Sequence, residues 1–224
     1  MHTTNRLKSL FWTTEEHNMW RVWQTSMRRR RFVYFERLIS SLPRPVRVLD
    51  VGGTQEFWEK MEFARDDVQI TVYNLSVTSI TYPGLISMKG DAREMREFAD
   101  KEFDLVFSNS VIEHVGLYHQ QRQMAQEVQR VGKRYYVQTP NRYFPIEPHV
   151  LLPLFQFFPF GLKVFILTHC RSPWGWKMAS EQEAKNYIRA IRLLTEKELR
   201  NLFPGAKIYK EKFFGLTKSF MVSQ

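Results

Sequence analysis

The sequence predicts an α/β fold built around a mostly parallel sheet, and three observations support it. From Val46 onward, short β-rich runs alternate with helical patterns, the mark of strand–helix–strand units. The first run, "VRVLDVGG", breaks from apolar residues straight into a glycine pair, as a strand does when it delivers a ligand-binding turn. The last two β-like runs, Ala206–Phe213 and Thr217–Val222, lie too close around Gly215 for a helical crossover and are expected to pair antiparallel.

Each element has its own warrant. Strands are read at Val46–Val51, Gln69–Asn74, Leu85–Met88, Phe103–Ser108 and Arg134–Thr139, all rich in β-branched and aromatic residues. In "QQRQMAQEVQRVG", Met124, Val128 and Val131 recur at helical spacing, so this segment should pack as a helix on the sheet. "TEKELRNLFPG" opens with Thr195 and has Glu198 three residues later, a capping box, and Pro204–Gly205 ends the helix. The densely apolar stretch from Val150 to Thr168 is broken by Pro153, Pro159 and Gly161 and carries Lys163. Two short helices are therefore expected there, not a membrane span.

Composition bounds the function. The 224 residues suit a single domain covering 1–224. Net charge is +10, and residues 1–45 supply +6 of it through nine Lys/Arg against Glu15, Glu16 and Glu36. Such a segment suits nucleic acid, anionic lipid, a phosphorylated substrate or simply a solvated helix face. The single cysteine, Cys170, excludes an intramolecular disulfide and a cysteine-based zinc site, and no metal site is read from the sequence. With no apolar signal-like segment at the start, a cytoplasmic or membrane-peripheral setting is expected.

Ligands of open α/β sheets sit beyond the carboxyl ends of the strands, so the residues just past each strand end are the informative ones. After the first strand come Asp50, Gly52 and Gly53, a turn whose backbone can approach a ligand closely. After the second comes Asn74, which can bond a ribose diol or merely start a turn. After the third come Asp91 and Ala92, either a carboxylate for an exocyclic amine with an N–H for a ring nitrogen, or a plain helix N-cap at Asp91. After the fourth comes "SNSVIEHV", with Ser108, Asn109, Ser110, Glu113 and His114 in one dense polar cluster.

These stretches in this order resemble the class I S-adenosylmethionine-dependent methyltransferases, most closely the type 11 small-molecule group. The resemblance runs from about Val46 to Gln224 through "VRVLDVGG", "GDAREM", "FDLVFSNSVIEHV", "VQTPN" and "LLTEKELRNLFPGAKIYKEKFFGLTKS". It implies a Rossmann-like seven-stranded sheet with an antiparallel last strand and helices on both faces. N-terminal helices over residues 1–45 would form a basic lid, and residues 142–190 a helical substrate cover after the fifth strand. By position, Asp50, Gly52 and Gly53 would shape the loop around the methionine end of S-adenosyl-L-methionine, Asn74 the ribose, Asp91 and Ala92 the adenine, and Asn109 the sulfonium side. The chain departs from the family in reading D-V-G-G-T in the first loop and Asn74 in place of an acid.

The activity implied is methylation of a small-molecule or amphipathic, glycan-type or lipid-linked acceptor, O-directed, by in-line transfer with a histidine base. His114 and His149 follow the fourth and fifth strands and can face one cleft, while His119 lies further along the helix-forming region. Trp174 and Trp176 are assigned to the cover. Two other readings stand beside this one. Methylation of nucleic acid fits the charge but lacks an appended RNA-binding module. A catalytically silent cofactor-fold protein fits the two departures.

Overall fold

The computed structural model describes residues 14–172 and 177–224, with side chains from residue 26 onward in the first segment. Trp174 and Trp176 fall outside the described residues.

Seven strands form one sheet: β1 Val46–Val51, β2 Val68–Asn74, β3 Leu85–Lys89, β4 Phe103–Asn109, β5 Gly132–Pro140, β6 Lys207–Phe213 and β7 Leu216–Ser223, in the order β3-β2-β1-β4-β5-β7-β6. β1 to β5 are mutually parallel, and β7 enters antiparallel between β5 and β6. The helices are α1 Thr14–Ser40, α2 Gln55–Met61, α3 Tyr118–Val131, α4 Phe160–His169, α5 Glu181–Ala190 and α6 Glu196–Leu202. Each strand read from the sequence is present, with ends shifted by two residues or fewer. The terminal hairpin pairs as its short connection requires.

Side chains alternate across β1, so Leu49 and Val51 face one layer while Val46, Val48 and Asp50 face the other. The first layer buries Met124, Val128 and Val131 of α3 with Leu199 and Leu202 of α6. The second buries Phe32, Phe35 and Ile39 of α1 with Trp58 of α2, against Val48, Ile70, Val72 and Phe107 of the strands. Full burial of such side chains stabilises by about 1.5–3 kcal/mol each, which fixes the second half of α1 to the sheet. Phe35 alone packs its ring within 5.5 Å of those of Trp58, Phe63 and Phe107.

Among the described residues the N-terminal region holds one long helix, α1. "EEHNMWRVWQTSMRRRRFVYFERLIS" contains no proline or glycine to break it. The apolar stretch after β5 makes a short 3-10 turn at Phe155–Phe157 and then α4, with Pro159 capping α4. α4 and α5 pack through Val164, Leu167 and Ala184 into a separate small apolar cluster. The Arg192 N–H bonds Glu113 O and the Arg142 N–H bonds Leu194 O, tying this cover to the strand ends. Thr195 and Glu198 form the capping box that starts α6.

Candidate functional site

The sheet order reverses between β1 and β4, where the connections leave in opposite directions and open a crevice. A cleft of about 280 Å³ lies there, lined by Asp50, Gly52 and Gly53 after β1, by Phe107, Asn109 and Ser110 at the end of β4, and by Arg28 of α1. A second cleft of about 290 Å³ adjoins it, sharing Arg28 and Ser110. Its wall holds Glu113, His114 and His149 among the more apolar Phe144, Ile146, Pro148 and Leu151.

The first cleft is shaped by glycines that nothing larger could replace. Gly52 has φ +76°, and a Cβ there would stand 2.5 Å from Val111 Cγ2. At Gly53 a Cβ would fall 1.6 Å from Asp50 Oδ2, because the carboxylate folds back over the turn. Strand alternation turns Asp50 into the aromatic layer, where Trp58 Nε1 donates to Oδ2 at 2.7 Å. Its other oxygen, Oδ1, is buried with no partner among the described residues. Burial pushes this carboxyl from 3.8 to about 7, against the opposing bond from Trp58.

The remaining sequence-predicted residues sit at neighbouring strand ends. Asn74 Nδ2 donates to Gly53 O at 2.6 Å, so this side chain braces the glycine turn. The Asp91 carboxylate is gripped by Arg93 through its backbone N–H, Nε and Nη2, which holds the acid below its usual range. Ala92 packs on the α3 side of the core, and Asn109 lines the first cleft.

In the second cleft the two histidines meet. His149 Nε2 stands 3.1 Å from His114 Nε2, with the rings at 89°. Behind it, His149 Nδ1 lies 2.6 Å from Glu147 Oε1, a buried carboxylate whose Oε2 accepts the N–H groups of His149 and Val150. Burial works to lower the His149 pKa, but the bond and charge of Glu147, joined by Glu113, raise it above its ordinary value. Burial and the charge of His149 take His114 down to about 4. Glu113 is fully buried and raised to about 7, with Thr139 Oγ1 donating to Oε2 at 2.9 Å. His119, on α3, lies outside this group.

Sequence spacing gave no site role to Arg28, while Ser110 stood in the polar cluster it marked after the fourth strand. Arg28 reaches both clefts from a helix that begins more than 20 residues before β1, and only its place in a basic run marked it. Ser110 takes φ +58°, a left-handed conformation rare outside glycine, and is held by Gln138 through Oγ to Oε1 at 2.8 Å and N to O at 2.9 Å.

Comparison with known proteins places this arrangement. A family model described as a methyltransferase domain matches residues 49–135. Two uncharacterised proteins of Mycobacterium tuberculosis, from strains CDC 1551 / Oshkosh and H37Rv, are each 39% identical over 57 residues, 25% of this chain and 20% of theirs. The chain's match thus spans about a fifth of the length of these curated relatives. A solved protein from Pyrococcus horikoshii OT3 superposes with a TM-score of 0.51 at 16% identity, covering 88% of this chain and 89% of that one. The CurJ carbon methyltransferase superposes with a TM-score of 0.51 at 12% identity, covering 83% and 50%.

The cofactor that such a domain implies is S-adenosyl-L-methionine, and the first cleft fits its amino-acid end. The glycine turn lets the Asp50 carboxylate fold back over the backbone at the cleft, and its Oδ1, unpartnered among the described residues, is an acceptor suited to an ammonium group. Residues 49–135 match the methyltransferase domain model, and the chain shares the fold of the CurJ carbon methyltransferase.

Proposed function

We propose that this chain methylates a hydroxyl of a small amphipathic acceptor, of glycan or lipid-linked type, using S-adenosyl-L-methionine. The observation that carries the reading is the pair of clefts sharing Arg28 and Ser110: one polar and glycine-floored, the other larger in apolar wall and furnished with histidines. When bound, the cofactor supplies an electrophilic methyl group on a cationic sulfur, and the chain's task is to align a nucleophile with it.

In this reading Asp50, Gly52 and Gly53 hold the methionine end and Asn109 the sulfonium side. Asn74 meets the ribose, and Asp91 with the Ala92 N–H meets the adenine. Two atoms of Asn74 divide the work: Nδ2 fixes the turn, and the carbonyl oxygen is of the type that accepts from a hydroxyl. The acceptor's proton leaves at the His114–His149 pair, where Glu147 fixes the orientation of His149.

An amphipathic acceptor is supported by the cover. Phe157, Phe160, Leu162 and Phe165 are all more than 40% exposed there, close to the basic residues Lys163 and Arg189. No described helix is long and apolar enough to cross a membrane, so contact with lipid would be peripheral.

The test is calorimetry with S-adenosyl-L-methionine, followed by transfer of a labelled methyl group into lipid-extractable and aqueous glycan fractions. Saturable binding and label in either fraction are expected. No binding at millimolar cofactor would sink the enzyme reading, and label in RNA instead would move the acceptor to nucleic acid.

A further inference from the structure

We propose that Glu113, His114 and His149 form a binding site for a first-row divalent metal ion of the zinc class, with an open coordination position facing the second cleft. One donor atom from each residue lies within 4.8 Å of the others. Two imidazole nitrogens bound tetrahedrally at about 2.0–2.1 Å from one ion stand about 3.3 Å apart, and the two Nε2 atoms here are 3.1 Å apart.

A shared proton would account for that spacing alone, but two further features call for a cation. Glu113 is fully buried, its Oε1 has no hydrogen-bond partner among the described residues, and a carboxylate oxygen of this residue lies within 4.8 Å of both imidazole donors. Glu147 backs His149 at Nδ1, the carboxylate–histidine arrangement that fixes a ligand's tautomer and turns Nε2 toward a metal. Glu147 is itself held by two backbone N–H groups, so it is a support and not a fourth ligand.

The donor set selects the ion. Two imidazoles and one carboxylate suit zinc and its first-row neighbours, whereas calcium and magnesium prefer oxygen alone. Three protein ligands leave a position open, as in metal sites that bind a reactant. Because the cluster lines the second cleft, that position is open to an oxygen of the acceptor. Only this catalytic use rests on the methyltransferase reading. The metal site itself does not, and a proton and a metal ion compete for the same pair of nitrogens.

The experiment uses the whole chain, stripped with chelator and titrated with Zn²⁺ against a competing indicator, and with Co²⁺ by its visible absorption. One equivalent per chain is expected, with a Co²⁺ band typical of low coordination number. His114→Ala and His149→Ala should each weaken binding at least 100-fold, and Glu147→Gln about 10–100-fold as a support. His119→Ala should bind as the unaltered chain does. His114 lines the second cleft, so its alanine variant tests the ligand at the cleft wall and not in the apolar layers of the sheet.

Less than one equivalent at 100 µM zinc, or equal affinity in both histidine variants and the unaltered chain, overturns the proposal. Calorimetry of the stripped chain with S-adenosyl-L-methionine separates the two readings. Zinc binding without cofactor binding upholds the site and removes the methyltransferase reading. Cofactor binding without zinc binding does the reverse.

Discussion

Asp50→Asn should make the cofactor-free chain more stable at pH 8 while weakening its hold on the cofactor. Asp50 sits wholly inside the aromatic layer, with Trp58 Nε1 on one oxygen and nothing on the other among the described residues. Its carboxyl titrates near 3.8 when exposed and near 7 in the folded chain. Between those values the folded state holds the proton and the unfolded state has released it, so stability falls as pH rises. The loss is about 1.4 kcal/mol per pH step, about 4 kcal/mol in all, and is complete above pH 7.

Asparagine keeps an oxygen for Trp58 and removes the ionisation, so that slope should vanish in the variant. Urea unfolding at pH 5, 6, 7 and 8 measures it as the difference between the two chains. The gap should widen through this window in favour of asparagine and level off beyond pH 7. Calorimetry should show the opposite order for S-adenosyl-L-methionine, because an ionised carboxylate pairs with an ammonium group better than an amide does. A gap independent of pH, or an asparagine chain less stable at pH 8, would refute the reasoning.

Other perturbations have defined outcomes. Phe35→Ala removes a fully buried ring between α1 and the sheet and should cost about 3–5 kcal/mol in urea unfolding. A cost under about 1 kcal/mol would mean that α1 is not anchored there. Thr195→Ala breaks the capping box of α6 and should cost about 1 kcal/mol, with no change in cofactor affinity. Asn74→Ala frees the Gly53 carbonyl and should weaken cofactor binding about fivefold, from the loss of about 1 kcal/mol. Unchanged binding by calorimetry would remove Asn74 from the site.

The strand ends were legible because each is a local signal: an apolar run stops at Asp50, Asn74 or Asn109 and gives way to a polar turn. Parallel pairing then brings those ends together without further instruction. The capping box at Thr195 and Glu198 was legible for the same reason. What spacing could not convey were contacts between distant segments. Nothing near Asp50 marks Trp58 as its partner except a helical turn, and nothing near His149 marks His114, 35 positions earlier, as the ring it faces. The continuity of α1 was missed for a different reason. Its burial comes from the sheet, while its own sequence shows little amphipathic pattern.

The seam between the two clefts has a mechanical consequence. Ser110 joins Gln138 by main chain and side chain at once, and Gln138 lies within β5, flanked by β4 and β7. Ser110, the part of the common wall just past β4, is therefore anchored to the middle of the sheet, while Arg28 reaches the same wall from α1. At Ser110 the spacing between whatever fills the two clefts is thus referred to β5, so a change at Gln138 should reach both compartments at once.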